Sequence, residues 1–430
     1  MNLQSLCDQA AAYLQQGNPA EAERLYVQVL AAEPANPTAN HLLGVIRSRQ
    51  GFHGEALAHY DRALAQTPDD PAMLFNRGNA LYDLKRFADA LASYDRALAL
   101  RPDIAVLHNN RGNALFALRR LEDALQSYSH ALAIRPGDKE ARSNSTHMLH
   151  QMAALAWTEK RDAKSAIRAL EQLLRLDPEF EYVRGELLHM KMFGADWRGL
   201  KQDQVAIDAG VRAGKRVITP FAYQALSESP KDLQACAVIV ADLLFPAQPA
   251  PWTGGERAHQ KIRIGYVSGE LREQATAYLA AGLYEAHDRG KFEILEFDSG
   301  ASDFSPMRRR LEAAFDSIIP IAHLTDQQAA ETVLSEEIDI LVNLNGYFGA
   351  QRMGVFARRP APIQVNYLGF PGTLGAPNMD YILADRIGIP PGERQFYSEK
   401  VVWLPDSYQV NDSKRRVAEA HAGPGRKRAA

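Results

Sequence analysis

Prolines recur at a fixed spacing through the amino-side half of the chain. Each lies 34 residues after the one before: Pro34, Pro68, Pro102 and Pro136. Each closes a unit in which a small residue is followed four positions later by a tyrosine, as Ala90 is followed by Tyr94, so that both lie on one helix face. A fixed period of this length predicts stacked helix pairs, because each unit can bury its apolar face only against its neighbours.

A glycine recurs in the first half of the second, third and fourth units, at Gly44, Gly78 and Gly112. A glycine there lets the two helices of a unit approach closely. With the proline after the second helix, this spacing resembles the tetratricopeptide repeat, which implies an α-solenoid over residues 1–178. A fifth, degenerate unit ends at Pro178, 42 residues after Pro136. Eight residues beyond the period are therefore inserted, and we place them near 148–158.

Length and composition limit the class of protein. A chain of 430 residues predicts two or three domains, and its net charge of −3 argues against a nucleic-acid or membrane-surface role. The two cysteines, Cys7 and Cys236, have no Cys or His at metal-ligand spacing, so we expect buried thiols, no disulfide and no metal site. The absence of a signal-like segment and of a long apolar run predicts a cytoplasmic protein.

Beyond the repeats the pattern changes twice. A helical period persists over 179–245, which predicts a helical connecting region, and a proline- and glycine-rich stretch over 246–260 predicts a linker. From 261 to 410, short runs rich in β-branched residues alternate with helix-like stretches, which predicts a parallel, doubly wound, Rossmann-like α/β lobe. The predicted strands are 261–268, 292–298, 316–321, 338–347, 363–370 and 379–385, and the clearest predicted helices are 275–288 and 325–337.

Ligands bind beyond the carboxyl ends of the strands in sheets of this kind. Three predicted loops lie there, Ser268–Gln274, Asn345–Arg352 and Phe370–Ala376, and all are rich in glycine and polar residues. We therefore place the candidate active site at these loops.

Three strings in this region carry a family resemblance: ILVNLNGY (340–347), FARRPAPIQVNYLGFPGTLGAPNMDYILAD (356–385) and YSEKVVWLPDSY (397–408). They resemble the amino-terminal catalytic lobe of the O-linked N-acetylglucosamine transferases, in which repeats also precede the lobe. The resemblance implies half of a two-lobed glycosyltransferase fold. It implies a metal-independent, inverting transfer from a UDP-sugar to serine or threonine of a protein, with the UDP-sugar as donor substrate and no cofactor.

In that family a second lobe supplies most of the contacts to the nucleotide, whereas here the resemblance fades after Asn411 into a short basic stretch, 411–430, which we expect to be a disordered tail. The resemblance therefore implies a shortened chain that is inactive alone and that binds UDP-N-acetylglucosamine only when a second lobe is supplied. It leaves the sugar open, since the same fold also transfers fucose.

The retained lobe departs from the family at two positions. Gln274 lies where the family often has the histidine of a His-Pro pair, and Phe348 lies where many relatives have threonine. Glutamine can donate hydrogen bonds but cannot act as a base. The candidate active-site residues are Gln274, Gly346, Tyr347, Pro371, Gly372 and Thr373, and the catalytic base stays unassigned. For the glycines, an ordinary tight turn is the alternative interpretation.

Asparagines recur on the first helix of successive units, whose side chains line the inner wall of a repeat superhelix. Asn76, Asn110 and Asn144 are 34 residues apart, and Asn79 and Asn113 extend the polar wall. Such a ladder can hold an extended peptide by its backbone amides, and the resembling family uses one for protein acceptors. Helix capping or chance is the alternative.

Two functions remain open from the sequence. One is the glycosyltransferase described above, and the other is a non-catalytic repeat scaffold that binds proteins or peptides. Either predicts protein or peptide partners in the repeat groove and allows a homo-oligomer. Neither predicts a nucleic-acid or membrane partner.

Overall fold

The computed structural model describes residues 2–251 and 259–414. It divides into two compact units, residues 1–180 and 181–430, which we describe separately. Parts of the predicted linker, 252–258, and of the predicted tail, 415–430, lie outside the described residues.

The described part of the first unit folds into ten helices, which confirms the predicted solenoid. Neighbouring helices pair as α1 with α2, α3 with α4, and so on to α9 with α10. Their bounds are α1 Leu3–Gln15, α2 Pro19–Ala32, α3 Pro37–Arg49, α4 His53–Gln66, α5 Pro71–Asp83, α6 Phe87–Leu100, α7 Ala105–Ala117, α8 Leu121–Ile134, α9 Lys139–Thr158 and α10 Ala163–Leu176.

The periodic prolines lie just after the second helix of each unit. Helices α4 and α6, for example, end at Gln66 and Leu100, two residues before Pro68 and Pro102, because the residue before a proline is disfavoured in helical conformation. The helix that follows α4 then begins with a capping side chain. Asp70 accepts hydrogen bonds from the first turn of α5, which satisfies backbone donors that have no partner within the helix.

Each recurring glycine lies under the recurring tyrosine of its own unit. A Cβ on Gly44 would lie 2.7 Å from Cε1 of Tyr60, and Gly78 and Gly112 stand in the same relation to Tyr94 and Tyr128. These tyrosines are at most 2% exposed. The glycine spacing therefore reflects close packing within a helix pair, as the sequence pattern predicted.

Neighbouring units are joined by a repeated polar contact. Arg77 donates through Nε to Asp61 of the preceding unit and through Nη1 to Ser93 of its own unit, both at 2.7 Å. One period later Arg111 makes the same two bonds, both at 2.6 Å, to Asp95 and Ser127. The same two hydrogen bonds therefore join neighbouring units at two successive boundaries.

The predicted insertion lengthens one helix. Helix α9 has 20 residues, where α5 and α7 have 13. The extra residues lie at its carboxyl end, within the predicted region 148–158, and α10 follows with its apolar face on α9. The added length is about 10 Å at the usual helical rise.

The second unit begins with helices and continues into a sheet. The helices are α11 Val183–Phe193, α12 Leu200–Arg212, α13 Pro220–Gln224, α14 Pro230–Leu244, α15 Ala275–Ala286, α16 Pro306–Ala314, α17 Asp326–Ser335 and α18 Met353–Phe356, with a 3-10 helix at Pro391–Phe396. The strands are β1 Ile262–Ser268, β2 Phe292–Asp298, β3 Ser317–Pro320, β4 Ile340–Asn343, β5 Ile363–Asn366, β6 Tyr381–Ala384 and β7 Lys400–Trp403.

All described strands are parallel, in the order β3-β2-β1-β4-β5-β6-β7. This confirms the predicted doubly wound α/β lobe and its first six strands. Strand β7 and helices α16 and α18 were not predicted. The chain order reverses between β1 and β4, so the crevice at the carboxyl ends of these two strands is the expected ligand site.

Apolar clusters cover both faces of the sheet. Phe297 and Leu341 lie in one cluster, with residues of α17 and α18, and Tyr266 and Val342 lie in the other, with residues of α15 and α16. Both cysteines are buried thiols, as predicted. Among the described residues, every helix is too short or too polar to span a bilayer.

Candidate functional site

Two asparagines end the central strands and shape the loops that follow. Asn343, the last residue of β4, accepts hydrogen bonds from the N–H groups of Asn345 and Gly346 at 3.0 and 2.9 Å. Its neighbour on β5, Asn366, donates through Nδ2 to the carbonyls of Phe370 and Gly372. Both asparagines are at most 1% exposed. These bonds from the asparagine side chains replace backbone hydrogen bonds between strands, so each loop turns sharply at the sheet edge.

The predicted residues Gly346 and Tyr347 lie at this edge. Gly346 has a φ of +57°, and a side chain there would collide with Phe370, so glycine is required by the turn itself. Tyr347 donates from its hydroxyl to the carbonyl of Leu374 at 2.6 Å, and burial raises its pKa. The tyrosine therefore joins the loop after β4 to the loop after β5 and is held in its neutral form.

A buried carboxylate, that of Glu399, holds the loop after β5 in place. Glu399, which is 3% exposed, accepts from the hydroxyl of Thr373 and from the N–H of Leu374, both at 2.7 Å. Thr373 in turn accepts from the N–H groups of Gly375 and Ser398. Because the hydroxyl of Thr373 and the N–H of Leu374 donate to different oxygens of Glu399, both carboxyl oxygens act as acceptors.

Helices α13 and α14 form one wall of this site. A small cavity of about 50 Å³ lies between them and the loop after β5, and Gln224, Phe370, Gly372, Thr373 and Tyr397 are among its lining residues. A side chain at Gly375, whose φ is +65°, would lie 2.5 Å from the backbone of α14. The predicted Pro371 is exposed, and its carbonyl accepts from the hydroxyl of Tyr397 at 3.4 Å.

Aromatic rings surround the other predicted departure from the family. Phe348 packs on Phe221 of α13, with ring centroids 5.1 Å apart, and Phe221 reaches Phe370 at 6.5 Å. Tyr347 meets Phe370 edge-on at 5.5 Å. An apolar contact with the connecting helices therefore replaces any hydroxyl at position 348.

The loop after β1 brings Gln274 and Glu270 to the same edge. Gln274 is the exposed N-cap residue of α15, and its side chain makes no capping bond. Glu270 is 7% exposed and faces the loop after β4: a Cβ on Gly349 would lie 2.9 Å from its Oε1. The N–H of Gly269 donates to Oδ1 of Asn345 at 3.2 Å, which joins the loops on both sides of the reversal point.

Glu399 and Glu296 carry raised pKa values. Burial raises the pKa of Glu399, and the bonds from Leu374 and Thr373 oppose that rise. Burial, followed by the charge of Asp298, raises the pKa of Glu296 well above its usual range. Glu296 lies on β2, away from the loops after β4 and β5, and is 0% exposed. Glu399 acts within the candidate site, whereas Glu296 belongs to the core.

The first unit presents a second candidate site, a groove formed by the first helices of successive repeats. We call its two cavities the first and second compartments of the repeat groove. The first, about 360 Å³, is lined by Ser48, Asn79, Tyr82, Asp83, Tyr94, Asn110 and Asn113. The second, about 630 Å³, is lined by Tyr82, Asn113, Phe116, Tyr128, Asn144, His147, Met148, His150, Gln151 and Ala154. Tyr82 and Asn113 line both, so the compartments are adjacent.

Four of the five predicted asparagines line this groove and form two hydrogen-bonded pairs of amides. Asn110 donates to Oδ1 of Asn79 at 2.9 Å, and Asn144 donates to Oδ1 of Asn113 at 3.1 Å. The fifth, Asn76, does not line either compartment. Its Nδ2 instead contacts Nε2 of His41 at 2.9 Å.

Several residues of these sites were not among the sequence candidates. Glu399 and Asn366 lie in the resembling strings but carry no signal of burial by themselves. Glu270 lies in a loop that the sequence had marked, and only its close approach to Gly349 distinguishes it from the exposed Glu273. Phe221 and Gln224 lie outside the predicted lobe altogether.

Comparison with protein-family models divides the chain in the same way. Residues 247–422 match the model for glycosyl transferase family 41. Residues 7–71 and 75–139 match a tetratricopeptide repeat model. The three loops at the sheet edge all lie within the first match, and most of the residues that line the repeat groove lie within the second.

Named relatives match over part of their length. The chain is 33% identical over 195 residues to the probable UDP-N-acetylglucosamine–peptide N-acetylglucosaminyltransferase SEC of Arabidopsis thaliana, covering 45% of this chain and 20% of that protein. It is 34% identical over 154 residues to the UDP-N-acetylglucosamine–peptide N-acetylglucosaminyltransferase of Caenorhabditis elegans, covering 36% and 13%. The match thus spans a fifth or less of these two relatives.

Among solved structures, an O-GlcNAc transferase mutant from Thermobaculum terrenum matches at 26% identity with a TM-score of 0.34. The match covers 95% of this chain and 58% of that one.

Proposed function

We propose, for a chain that joins tetratricopeptide repeats to a region of glycosyl transferase family 41, a role in moving a sugar from a UDP-sugar to serine or threonine of proteins. The observation that carries the proposal is that the three loops converging at the sheet edge all lie inside the family 41 match. The donor is taken from the names of the relatives, which act on UDP-N-acetylglucosamine.

The loops after β4 and β5 suit the acceptor side of such a reaction. The glycine turns at Gly346 and Gly372 bring backbone close to the crevice, and the bonds of Tyr347 and Glu399 hold both loops in place. A rigid wall of this kind can orient a hydroxyl and a sugar for in-line attack at little entropic cost.

A group must also take the proton of the attacking hydroxyl. Gln274 cannot do so, because an amide has no basic atom of suitable strength. Glu270 is the better candidate, since its carboxylate is largely buried between the loops after β1 and β4. We propose Glu270 as the proton acceptor in this chain.

The repeat groove would bind the acceptor protein through its backbone. Asn79, Asn110 and Asn113 present amide groups on successive inner helices, and such groups can bond to the backbone of an extended chain whatever its sequence. The same groove supports the second candidate function, a non-catalytic peptide-binding scaffold. That function is favoured by Gln274, which lies where the resembling family often has a histidine.

The test is a transfer assay with the full chain, alone and with the nucleotide-binding lobe of a family 41 protein supplied separately, together with UDP-N-acetylglucosamine and a set of serine- and threonine-containing peptides. It is read as the mass gain of one N-acetylhexosamine. We expect transfer only when the second lobe is supplied, and we expect Glu270→Gln to lower its rate by about 100-fold or more without changing the dissociation constant of UDP. Glu273→Gln, on the exposed part of the same loop, is the matched control and should leave the rate unchanged.

Titration calorimetry with the UDP-sugar separates the two functions. No transfer and no heat at millimolar UDP-sugar even with the second lobe supplied, together with measurable peptide binding, would overturn the enzymatic proposal and leave the scaffold. The absence of both transfer and peptide binding would overturn both proposed functions.

A further inference from the structure

The repeat groove carries a second periodic series beside its asparagines. Ser48, Tyr82, Phe116 and His150 are 34 residues apart, and all four line the groove, on α3, α5, α7 and α9 in turn. We call Tyr82, Phe116 and His150 the aromatic file. Phe116 is 40% exposed although it is large and apolar. Tyr82 and His150 are partly buried, and three rings at one position of successive repeats, with Phe116 well exposed, indicate a surface that a ligand covers.

The spacing of the file limits the shape of that ligand. Helices α3, α5, α7 and α9 contact each other in sequence, and packed helices lie about 8–10 Å apart. A polyproline II helix has three residues per turn and advances about 9 Å per turn, so it would present the same face to each ring of the file. A β-strand would not, because its side chains alternate between faces with every residue.

The hydrogen-bonding capacity of the groove points the same way. Oδ1 of Asn79 already accepts from the hydroxyl of Tyr94 and from Asn110, and Oδ1 of Asn113 accepts from Tyr128 and Asn144. An amide oxygen has two lone pairs, so both acceptors are fully used. Within the described residues, the Nδ2 groups of Asn79 and Asn113 make no hydrogen bond and remain available as donors.

Asn79 and Asn113 offer donors and have used their acceptors, so the part of the groove that they line suits a chain rich in carbonyls and poor in N–H groups. Proline has no N–H, and the carbonyls of a polyproline II helix have no internal partner. Rings packed on proline, with polar groups bonding to the carbonyls, are an established way of recognising such segments.

Charge limits the partner further. Asp83 lines the first compartment, and neither compartment is lined by lysine or arginine. The side chain of Asp83 is 45% exposed and lies 3.3 Å from His53. A basic residue of the partner at this end of the groove would complement its charge.

We propose that the repeat groove binds proline-rich segments in polyproline II conformation, with a lysine or arginine at the Asp83 end and proline rings against Tyr82, Phe116 and His150. This rests on the proposed binding of polypeptides in the groove and names their class.

The test is calorimetric titration of the full chain with three synthetic peptides of equal length. The first is an oligoproline of about nine residues, roughly three turns, with lysine at both ends. The second replaces both lysines by glutamate, and the third replaces the prolines by a glycine–serine–alanine repeat. We expect the first to bind at least ten times more tightly than either of the others.

Two variants assign the binding to the aromatic file. Phe116→Ser introduces the residue that position 48 has in the second unit, and it should weaken oligoproline binding at least ten-fold. Leu100→Ser is the matched control, since Leu100 is 41% exposed but lies at the end of α6, outside the lining of the groove. It should leave binding unchanged, and thermal melts of both variants check that the fold is intact.

The remaining outcomes separate this proposal from the one on which it rests. If all three peptides bind equally and Asn113→Ala abolishes their binding, the groove holds polypeptides but the proline inference is wrong. If Phe116→Ser and Leu100→Ser behave alike, the aromatic file is not the site. If no peptide binds at millimolar concentration, both proposals are wrong.

Discussion

The ring of Tyr128 occupies the space that a side chain at Gly112 would need. A Cβ on Gly112 would lie 2.5 Å from Cε1 and 2.9 Å from Cζ of Tyr128, and the ring is held by the bond from its hydroxyl to Asn113 at 2.7 Å. The same contact therefore joins the packing of a helix pair to the wall of the repeat groove.

We expect Gly112→Ala to destabilise the first unit by about 1–3 kcal/mol, because the added methyl group must displace a buried ring. The free energy of opening is best measured by native-state hydrogen exchange of α7 and α8, since the chain has two compact units and need not unfold in one step.

Gly54→Ala is the matched control. Gly54 also lies in a helix, but nothing lies within 4 Å of a Cβ at that position. Alanine at this position should leave the stability of α4 unchanged or raise it by up to about 1 kcal/mol. Equal destabilisation by both variants would contradict the role assigned to the tyrosine ring.

Glu399→Gln tests the carboxylate beneath the loop after β5. An amide would present an N–H group to either Thr373 or the backbone of Leu374, so one buried donor would lose its acceptor, at a cost of about 1–3 kcal/mol. We expect faster hydrogen exchange at 370–376. The exposed Glu228, changed to glutamine, should have no effect, and an unchanged exchange rate in Glu399→Gln would mean that the loop is held by other contacts.

The stability of the second unit should depend on the protonation of Glu296. Its folded pKa is raised well above 4.5 by burial and by Asp298, so the folded state keeps a proton that the unfolded state has lost. The stabilisation from this bound proton is fully present at pH values below the pKa of Glu296 in the unfolded state. It is lost as the pH rises through the pKa of Glu296 in the folded state. Glu296→Gln removes the titration, and we expect it to be more stable than wild type near neutral pH.

Urea denaturation of wild type and Glu296→Gln at several pH values between about 5 and 8 checks this expectation. The difference in stability should grow with pH until the folded pKa is passed. A difference that is constant over this range would show that the carboxyl group titrates normally.

Asp412 should show the opposite dependence. Arg310 donates to both of its carboxyl oxygens, at 2.6 and 2.9 Å, and these bonds lower its pKa to about 2. The stabilisation is therefore present above the unfolded pKa and is lost as pH falls from about 3.8 towards 2. Asp412→Asn should speed hydrogen exchange in α15 at neutral pH, with a difference that shrinks in acid, whereas the exposed Asp406→Asn should not.

Long elements with a clear period were predictable from the sequence, whereas the bounds of the short strands were not. Strand β2 has the predicted bounds, 292–298. Strand β4 is shorter than predicted because the side chain of Asn343 takes the N–H groups that would have continued the ladder. Strand β7, at the sheet edge, was missed because it has only four residues, too few for a period to show.

The candidate sites were predictable where backbone geometry or repetition required a residue type. Gly346 needs a positive φ, and the asparagines of the groove recur with the repeat period. Glu399 could not be predicted, because it lies 26 residues beyond Thr373 and reaches that residue only through the order of the strands. Glu270 differs from Glu273 only in burial, which no local pattern reveals.

The contacts of Arg77 and Arg111 make the boundaries between the middle repeats interchangeable. Each arginine meets an aspartate 16 residues before it and a serine 16 residues after it. Duplication or deletion of whole units would therefore restore every such contact, whereas a change that is not a whole number of units would break them. The gene can thus lengthen or shorten the groove by unequal recombination, one helix pair at a time, until the longer α9 ends the series.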